Sequence, residues 1–403
     1  MASLKSELKY DRDRRRLGWL LLLLLLLFPL WMWLGWLVQP ETPLSVLVLD
    51  KTVPDSTRQE HRALAWVLLH EKIVGPTGHL FDLNRDYFGF FPLRHEQYLL
   101  KGLEQFDSTG VDSLARLYQA AYFADTYGVY YNEWYLHRNL TERSPLIYGG
   151  TRWQDVRLLR RMREQKKLIV LEFNSVGTPT PARYRQPIQE MFHFQWSGWT
   201  GRYFEMLDTL KNPELPRWIV RLYRQQHHNR WPFTGGGIVL VHTSETIEIL
   251  SEEQDLSYPY PQIVSTPAGR HRFGLPEKID FAYWFDIVYP QGENRSFAEY
   301  HLLTTARGDS LLKTHGIPHR FTALFGHQDG YWFYYLAGDF SDNPISLSTS
   351  HLRWIEFFRG LMYTREPLDR TRFFWQFYRP LVTTILREYQ QILVHPDMSG
   401  EEK

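Results

Sequence analysis

Five carboxylates share one setting in this chain: Asp50, Asp125, Glu172, Asp339 and Asp342 each follow a run of apolar, strand-like residues. Two carboxyls held ~5–9.5 Å apart perform glycoside cleavage as acid and base or nucleophile. A group of them also accepts hydrogen bonds from sugar hydroxyls or holds a hard divalent ion through oxygen. The plainer alternative is that each acid caps the next turn or helix by accepting orphan backbone N–H groups. So many acids after sheet strands exceed what capping alone requires, which favours a polar cleft. The densest stretch is Gly338-Asp339-Phe340-Ser341-Asp342-Asn343-Pro344, although an Asx turn accounts for Asn343-Pro344 without any ligand.

Other candidates for ligand contact accompany these acids. Tyr127 follows Asp125, Gly149 and Gly150 form a turn before a helix, and Asn174 closes Glu172-Phe173-Asn174. Trp199 and Arg202 lie in a Trp-rich stretch between Trp196 and Phe204, where an indole can stack on a sugar ring and a guanidinium can clamp a carboxylate or phosphate. Several chemistries are absent. With no cysteine there is no thiolate nucleophile, thiolate metal site or disulfide. Gly235-Gly236-Gly237 lacks the Lys-Ser/Thr of a phosphate loop and precedes a strand, so it reads as a turn. No His-Glu-x-x-His or Gly-x-Ser-x-Gly pattern occurs, and adjacent His227 and His228 rarely share a metal; neither a metal site nor a cofactor is expected. Asn139-Leu140-Thr141 and Asn294-Arg295-Ser296 match the glycosylation sequon.

The elements that must position the acids read as α/β. Residues 45–50 are a continuous apolar run ending in an acid, the mark of a strand buried on both faces of a parallel sheet, and residues 57–72 follow with helical spacing. Residues 117–124 and 167–171 repeat the pattern, with a helix predicted over 151–165 whose inner stripe is Leu158, Leu159 and Met162. In an open α/β sheet ligands sit beyond the carboxyl ends of strands where the strand order reverses, so neighbouring strands would bring Asp50, Asp125 and Glu172 to one crevice. Residues 183–223 read as short helices and loops. Residues 237–241 and 247–250 read as a hairpin, 281–289 and 297–305 as further strands, and 331–337 as a last strand. Residues 346–393 read as two amphipathic helices, parted near Glu366-Pro367, that pack on the domain.

Ahead of this lies an address. Residues 17–38 carry no charge and follow Lys5, Lys9, Arg12, Arg14, Arg15 and Arg16. The run is long enough for a transmembrane helix with its basic flank (1–16) in the cytoplasm. It exceeds the 7–15 residues of a signal-peptide core and ends in bulky residues, so the reading is an uncleaved single-pass anchor. The domain, 44–345 with C-terminal helices at 346–395, would then be extracytoplasmic, with a bacterial periplasm preferred. Forty-six basic against 45 acidic residues give a net charge of +1, with no stripe to gather nucleic acid.

The order of elements, the Gly149-Gly150 turn, the strand ending Glu172-Phe173-Asn174 and the aromatic strand ending Ala337-Gly338-Asp339 together resemble the class I glutamine amidotransferase-like superfold over about 44–344. The resemblance implies a flavodoxin-like, mostly parallel three-layer sheet domain with added antiparallel strands. Active members carry a cysteine at a tight strand-to-helix turn; without one, no glutaminase activity is expected and no catalytic residue carries over. Members lacking that chemistry occur as extracytoplasmic accessory modules. The expected function is a non-catalytic, membrane-anchored accessory protein that binds an envelope glycan or a similar ligand. The alternatives are a glycan hydrolase using paired carboxylates and an adaptor for proteins of a membrane assembly.

Overall fold

The computed structural model describes residues 18–19, 27–137 and 142–395. The basic segment 1–16, most of the apolar run before residue 27 and the sequon at Asn139 lie outside these residues.

A single 14-stranded sheet runs through the domain. At its centre five strands are parallel, in the order Trp332–Leu336, Leu168–Glu172, Ala120–Asp125, Val46–Asp50 and Phe88–Pro92. Their Val, Ile, Leu and Phe are buried on both faces, as their continuous apolar runs require. The fold is thus mixed α/β with a parallel centre. The chain leaves Val46–Asp50 through the helix Arg62–His70 toward one edge, and leaves Ala120–Asp125 through Trp153–Glu164 toward the other. Strand order therefore reverses between Val46–Asp50 and Ala120–Asp125. Right-handed crossovers put Arg62–His70 on one face and Ser108–Leu117 with Trp153–Glu164 on the other. The C-terminal helix Arg379–Val394 packs beside Arg62–His70.

The elements differ from expectation in four places. The first helix starts at Arg62 behind a short 3-10 turn because Arg58 is left-handed, φ 49°. Residues 117–119 are not in the second strand: Leu117 ends a helix capped by Asp107, whose side chain accepts the Gly110 N–H at 2.7 Å. Residues 194–204, read as loop, form the 11-residue strand Phe194–Phe204. Its alternation is interrupted by a register shift between Trp196 and Thr200 around Gly198, φ 91°. Within 346–393, the first expected helix is two 3-10 segments, Leu347–His351 and Ile355–Leu361, broken by left-handed Trp354. The second is a continuous helical rod from Arg370 to Val394 with a π turn at Phe374–Tyr378.

Beyond Trp332–Leu336 the sheet is antiparallel and larger than expected. It includes the hairpin Gly237–His242 and Ile247–Ser251, and also Gln262–Ser265, Lys278–Asp280 and Arg320–His327, which the sequence reading did not single out.

Candidate functional site

The four central acids stand side by side at the carboxyl edge of the parallel strands. Asp50 and Asp125 are register partners at the point of strand-order reversal. Glu172 ends the next strand, and Asp339 follows the one after it, two residues beyond Ala337. The run-then-acid pattern thus does bring these four acids to one edge of the sheet.

Each carboxylate is held differently. Asp50 is fully buried; its Oδ2 pairs with His61 Nδ1 at 2.6 Å and its Oδ1 accepts the Thr52 N–H at 2.9 Å. Burial raises its pKa against the opposing pull of His61. Asp125 accepts the Tyr127 N–H at 2.6 Å and faces the Asn174 amide at 3.5 Å. Burial, with the Asp50 charge adding to it, pushes Asp125 up to about 8. Glu172 is sealed in the interior. Its Oε2 accepts the N–H groups of Phe340 (3.2 Å) and Ser341 (3.0 Å) and the Ser341 hydroxyl (3.0 Å), while Tyr122 donates to Oε1 and pairs with Tyr378 at 2.8 Å. Burial lifts Glu172 to about 8. It ties the 338–344 loop to the sheet and is not offered to a ligand.

Asp339 and Asp342 form the rim. Burial alone would raise Asp342, but Arg370, at 2.5 Å, holds it below the usual carboxylate range, and Gln59 donates to it at 2.6 Å. Asp339 has the opposite fate: burial and the neighbouring Asp342 charge drive it well above that range. Arg370 stacks on the Tyr283 ring at 3.8 Å, and its side chain and that of Asp342 are 18% and 17% exposed, so this corner meets solvent. Arg202 approaches the same corner, close enough to feel the charges of Arg370 and Asp339, while bound to Glu214 at 2.6 Å.

The remaining candidates separate into two groups. Asn174 belongs to the crevice. It is left-handed, φ 65°, its N–H donates to Asp286 at 3.2 Å, and an amide at this turn offers no nucleophile. Tyr127, Gly149 and Gly150 build the loop wall. A Cβ on Gly149 would meet Gly128 Cα at 2.6 Å, and Gly150 N–H donates to Thr126 O at 2.7 Å, so these glycines serve close backbone approach. Trp199 is turned away from a stacking role: it is buried, and its ring packs on His242 (4.9 Å) and His315 (5.1 Å). Asn294 spends its amide on Phe192 O, His193 O and His327, which leaves it poorly placed to carry a glycan.

Sequence reading missed His61, Gln59, Arg370, Tyr283 and Asp286. Asp286 had a signal, an acid inside the buried run Phe285-Asp286-Ile287-Val288; it receives Tyr335 OH at 2.9 Å and Thr200 Oγ1 at 3.1 Å, and burial moves it to about 6. The others had none: Gln59 and His61 come from a short 3-10 turn after the strand Val46–Asp50, Tyr283 from a bend ahead of Phe285, and Arg370 from the start of the C-terminal rod. His61 is fully buried with Nε2 unpartnered. Among the described residues no group of three or more His, Asp or Glu is arranged to hold a metal ion. A surface groove of about 810 Å³ lies elsewhere, along the helix bearing Arg217, Arg221 and Arg224, and none of the five acids lines it.

No protein-family profile matches the chain, and no curated protein sequence does. Solved structures that are similar in part include two bacterial proteins. One is a putative ThuA-like protein from Bacteroides uniformis ATCC 8492, 8% identical, TM-score 0.35, covering 83% of this chain and 98% of that one. The other is a putative ThuA-like protein from Parabacteroides merdae ATCC 43184, 11% identical, TM-score 0.33, covering 73% of this chain and 78% of that one.

Proposed function

We propose that the chain is a single-pass, membrane-anchored protein whose extracytoplasmic α/β domain binds a neutral, hydroxyl-rich ligand, a cell-envelope carbohydrate, at the carboxyl edge of its parallel strands. The observation that carries this reading is the state of the acids at the reversal point. Burial pushes Asp125 up to about 8, which keeps it protonated near neutrality, and drives Asp339 in the same direction, while Asp342 is neutralised by Arg370. A protonated carboxyl both donates and accepts, as a sugar hydroxyl does, so the crevice matches a polyol and offers little free charge to a cation or an anion. Tyr283 supplies a ring beside these groups. The acids are tied to amides, Asn174, Gln59 and Arg370, which favours binding over turnover.

The anchor reading is supported by the uncharged run 17–38 behind six basic residues. Among the described residues no helix is long and apolar enough to cross a membrane; the described part of the run is the helix Phe28–Leu37.

The test is titration calorimetry of the full chain in nanodiscs against envelope oligosaccharides. Asp339→Ala is expected to weaken binding about tenfold or more, as removal of a hydrogen bond worth ~1.5 kcal/mol does. Arg370→Met, which frees the Asp342 charge, should weaken it further. Absence of binding to every envelope oligosaccharide overturns the carbohydrate assignment, and release of reducing ends on incubation replaces the binder with the hydrolase.

A further inference from the structure

The end of the apolar run is not a free tether. The Met32 and Trp36 side chains of the helix Phe28–Leu37 are buried against the domain; Arg353 N–H donates to Met32 O at 3.1 Å and Trp36 Nε1 to Leu69 O at 3.2 Å. Lys72 Nζ donates to Leu37 O at 3.0 Å, and Phe28 meets Phe358 edge-on at 5.2 Å. Helix and domain form one packed body here. The helix's other face leaves Trp31 52% and Trp33 41% exposed, and it continues onto the domain itself. There Trp354, Phe357 and Leu361 of the adjoining 3-10 segment are 43%, 78% and 82% exposed. Gly35 lies against the Trp354 ring, where a Cβ would come to 2.9 Å, so the two surfaces are continuous. Large apolar side chains grouped this way mark a surface that water does not normally cover.

Length decides what covers it. Residues 17–27 precede the docked helix, and as a helix these 11 would reach only ~16 Å, about half of a ~30 Å hydrocarbon layer. A span must therefore use Phe28–Leu37 as well, and whatever is docked beside that helix descends with it. The charges agree. Arg359 is exposed at the patch and Arg353 stacks on Trp354 at 5.1 Å, and guanidinium groups beside exposed aromatics suit the depth of lipid phosphates. The acid of the segment, Glu356, turns inward to Arg379 (3.5 Å) and His70 (3.8 Å).

We infer that the Trp354–Leu361 segment is seated in the lipid interface of the bilayer, so that the domain sits partly sunk in the membrane in one fixed orientation. This rests on the anchor reading, and the two can fail separately. Because the chain has no cysteine, Phe357→Cys, Leu361→Cys and, as an exposed control, Ser310→Cys each give one labelling site for a nitroxide. The full chain is placed in vesicles of phosphatidylcholine and phosphatidylglycerol, and collision of each label with oxygen and with a water-soluble nickel chelate is measured by power saturation. The expected result is a several-fold higher oxygen-to-nickel ratio at 357 and 361 than at 310. Labels at 357 and 361 as nickel-accessible as 310, in a chain that stays in the vesicles through alkaline extraction, leave the anchor standing and overturn the seat. Labels shielded from both reagents overturn it in favour of a protein cover. Loss of the chain from the vesicles at alkaline pH overturns anchor and seat together.

Discussion

Glu172 accepts four hydrogen bonds that pull its pKa down, yet burial outweighs them and determines how it titrates. Glu172 and Asp125 both sit at about 8 in the fold, above their ordinary values of 4.5 and 3.8. The folded chain thus holds their protons more tightly than the unfolded one. The stability they contribute is complete below the ordinary carboxylate range and is lost as pH climbs through about 8. Thermal melts should show Tm falling from about pH 5 to about pH 9. Glu172→Gln can keep its oxygen on Ser341 and Phe340 and turn its amide toward Tyr122, so it should lie within about 1 kcal/mol of the parent near pH 5 and become the more stable protein above pH 8. Lys51 is the opposite kind of group, a fully buried ammonium donating to Glu104, to Asp155 (2.7 Å) and to Gly150 O (3.2 Å). Lys51→Met strands the Asp155 charge in the interior and should cost ~3–5 kcal/mol in urea unfolding. Its acids come from positions 104 and 155, so the sequence around Lys51 carries no sign of the pairing.

The elements that could be read directly were those whose pattern is local. Four of the five parallel strands announce themselves as apolar runs ending in an acid or in Ala-Gly-Asp, and the order in which they lie is the one that brings the acids together. Phe194–Phe204 escaped because a bulge shifts its alternation by one face in mid-strand. That bulge depends on Gly198: at φ 91°, a Cβ would meet His242 Nε2 at 2.5 Å. Gly198→Ala should therefore lower stability by about 1–3 kcal/mol, read from the urea midpoint at unchanged slope. Residues 346–361 were misread for a related reason. Their apolar residues suit a helix, but left-handed Trp354 breaks it so that Ile355 faces the core and Phe357 faces out. Arg370 reaches Asp342 from 28 residues away and His61 reaches Asp50 from 11, and neither pair lies within one strand or helix, so both form only through tertiary packing.

At the scale of the whole molecule, the helix Phe28–Leu37 is part of the packed body of the domain, which does not begin after residue 38. Trp36 is 5% exposed and hydrogen-bonded to Leu69 O, so Trp36→Ala should cost ~3 kcal/mol or more in domain stability, measured by thermal unfolding in detergent. A chain begun at residue 41 should for the same reason melt below the full chain and self-associate without detergent, which size-exclusion chromatography checks. The docking also sets an order of events during synthesis. The Gly35 carbonyl faces a partner, Arg353, that lies 318 residues further along the chain. At ~5–20 residues per second a ribosome needs on the order of 15–60 s to reach it. Leu69 and Lys72 follow Trp36 and Leu37 by only 33 and 35 residues, so one side of the berth is made early and the side built by Arg353 is made last.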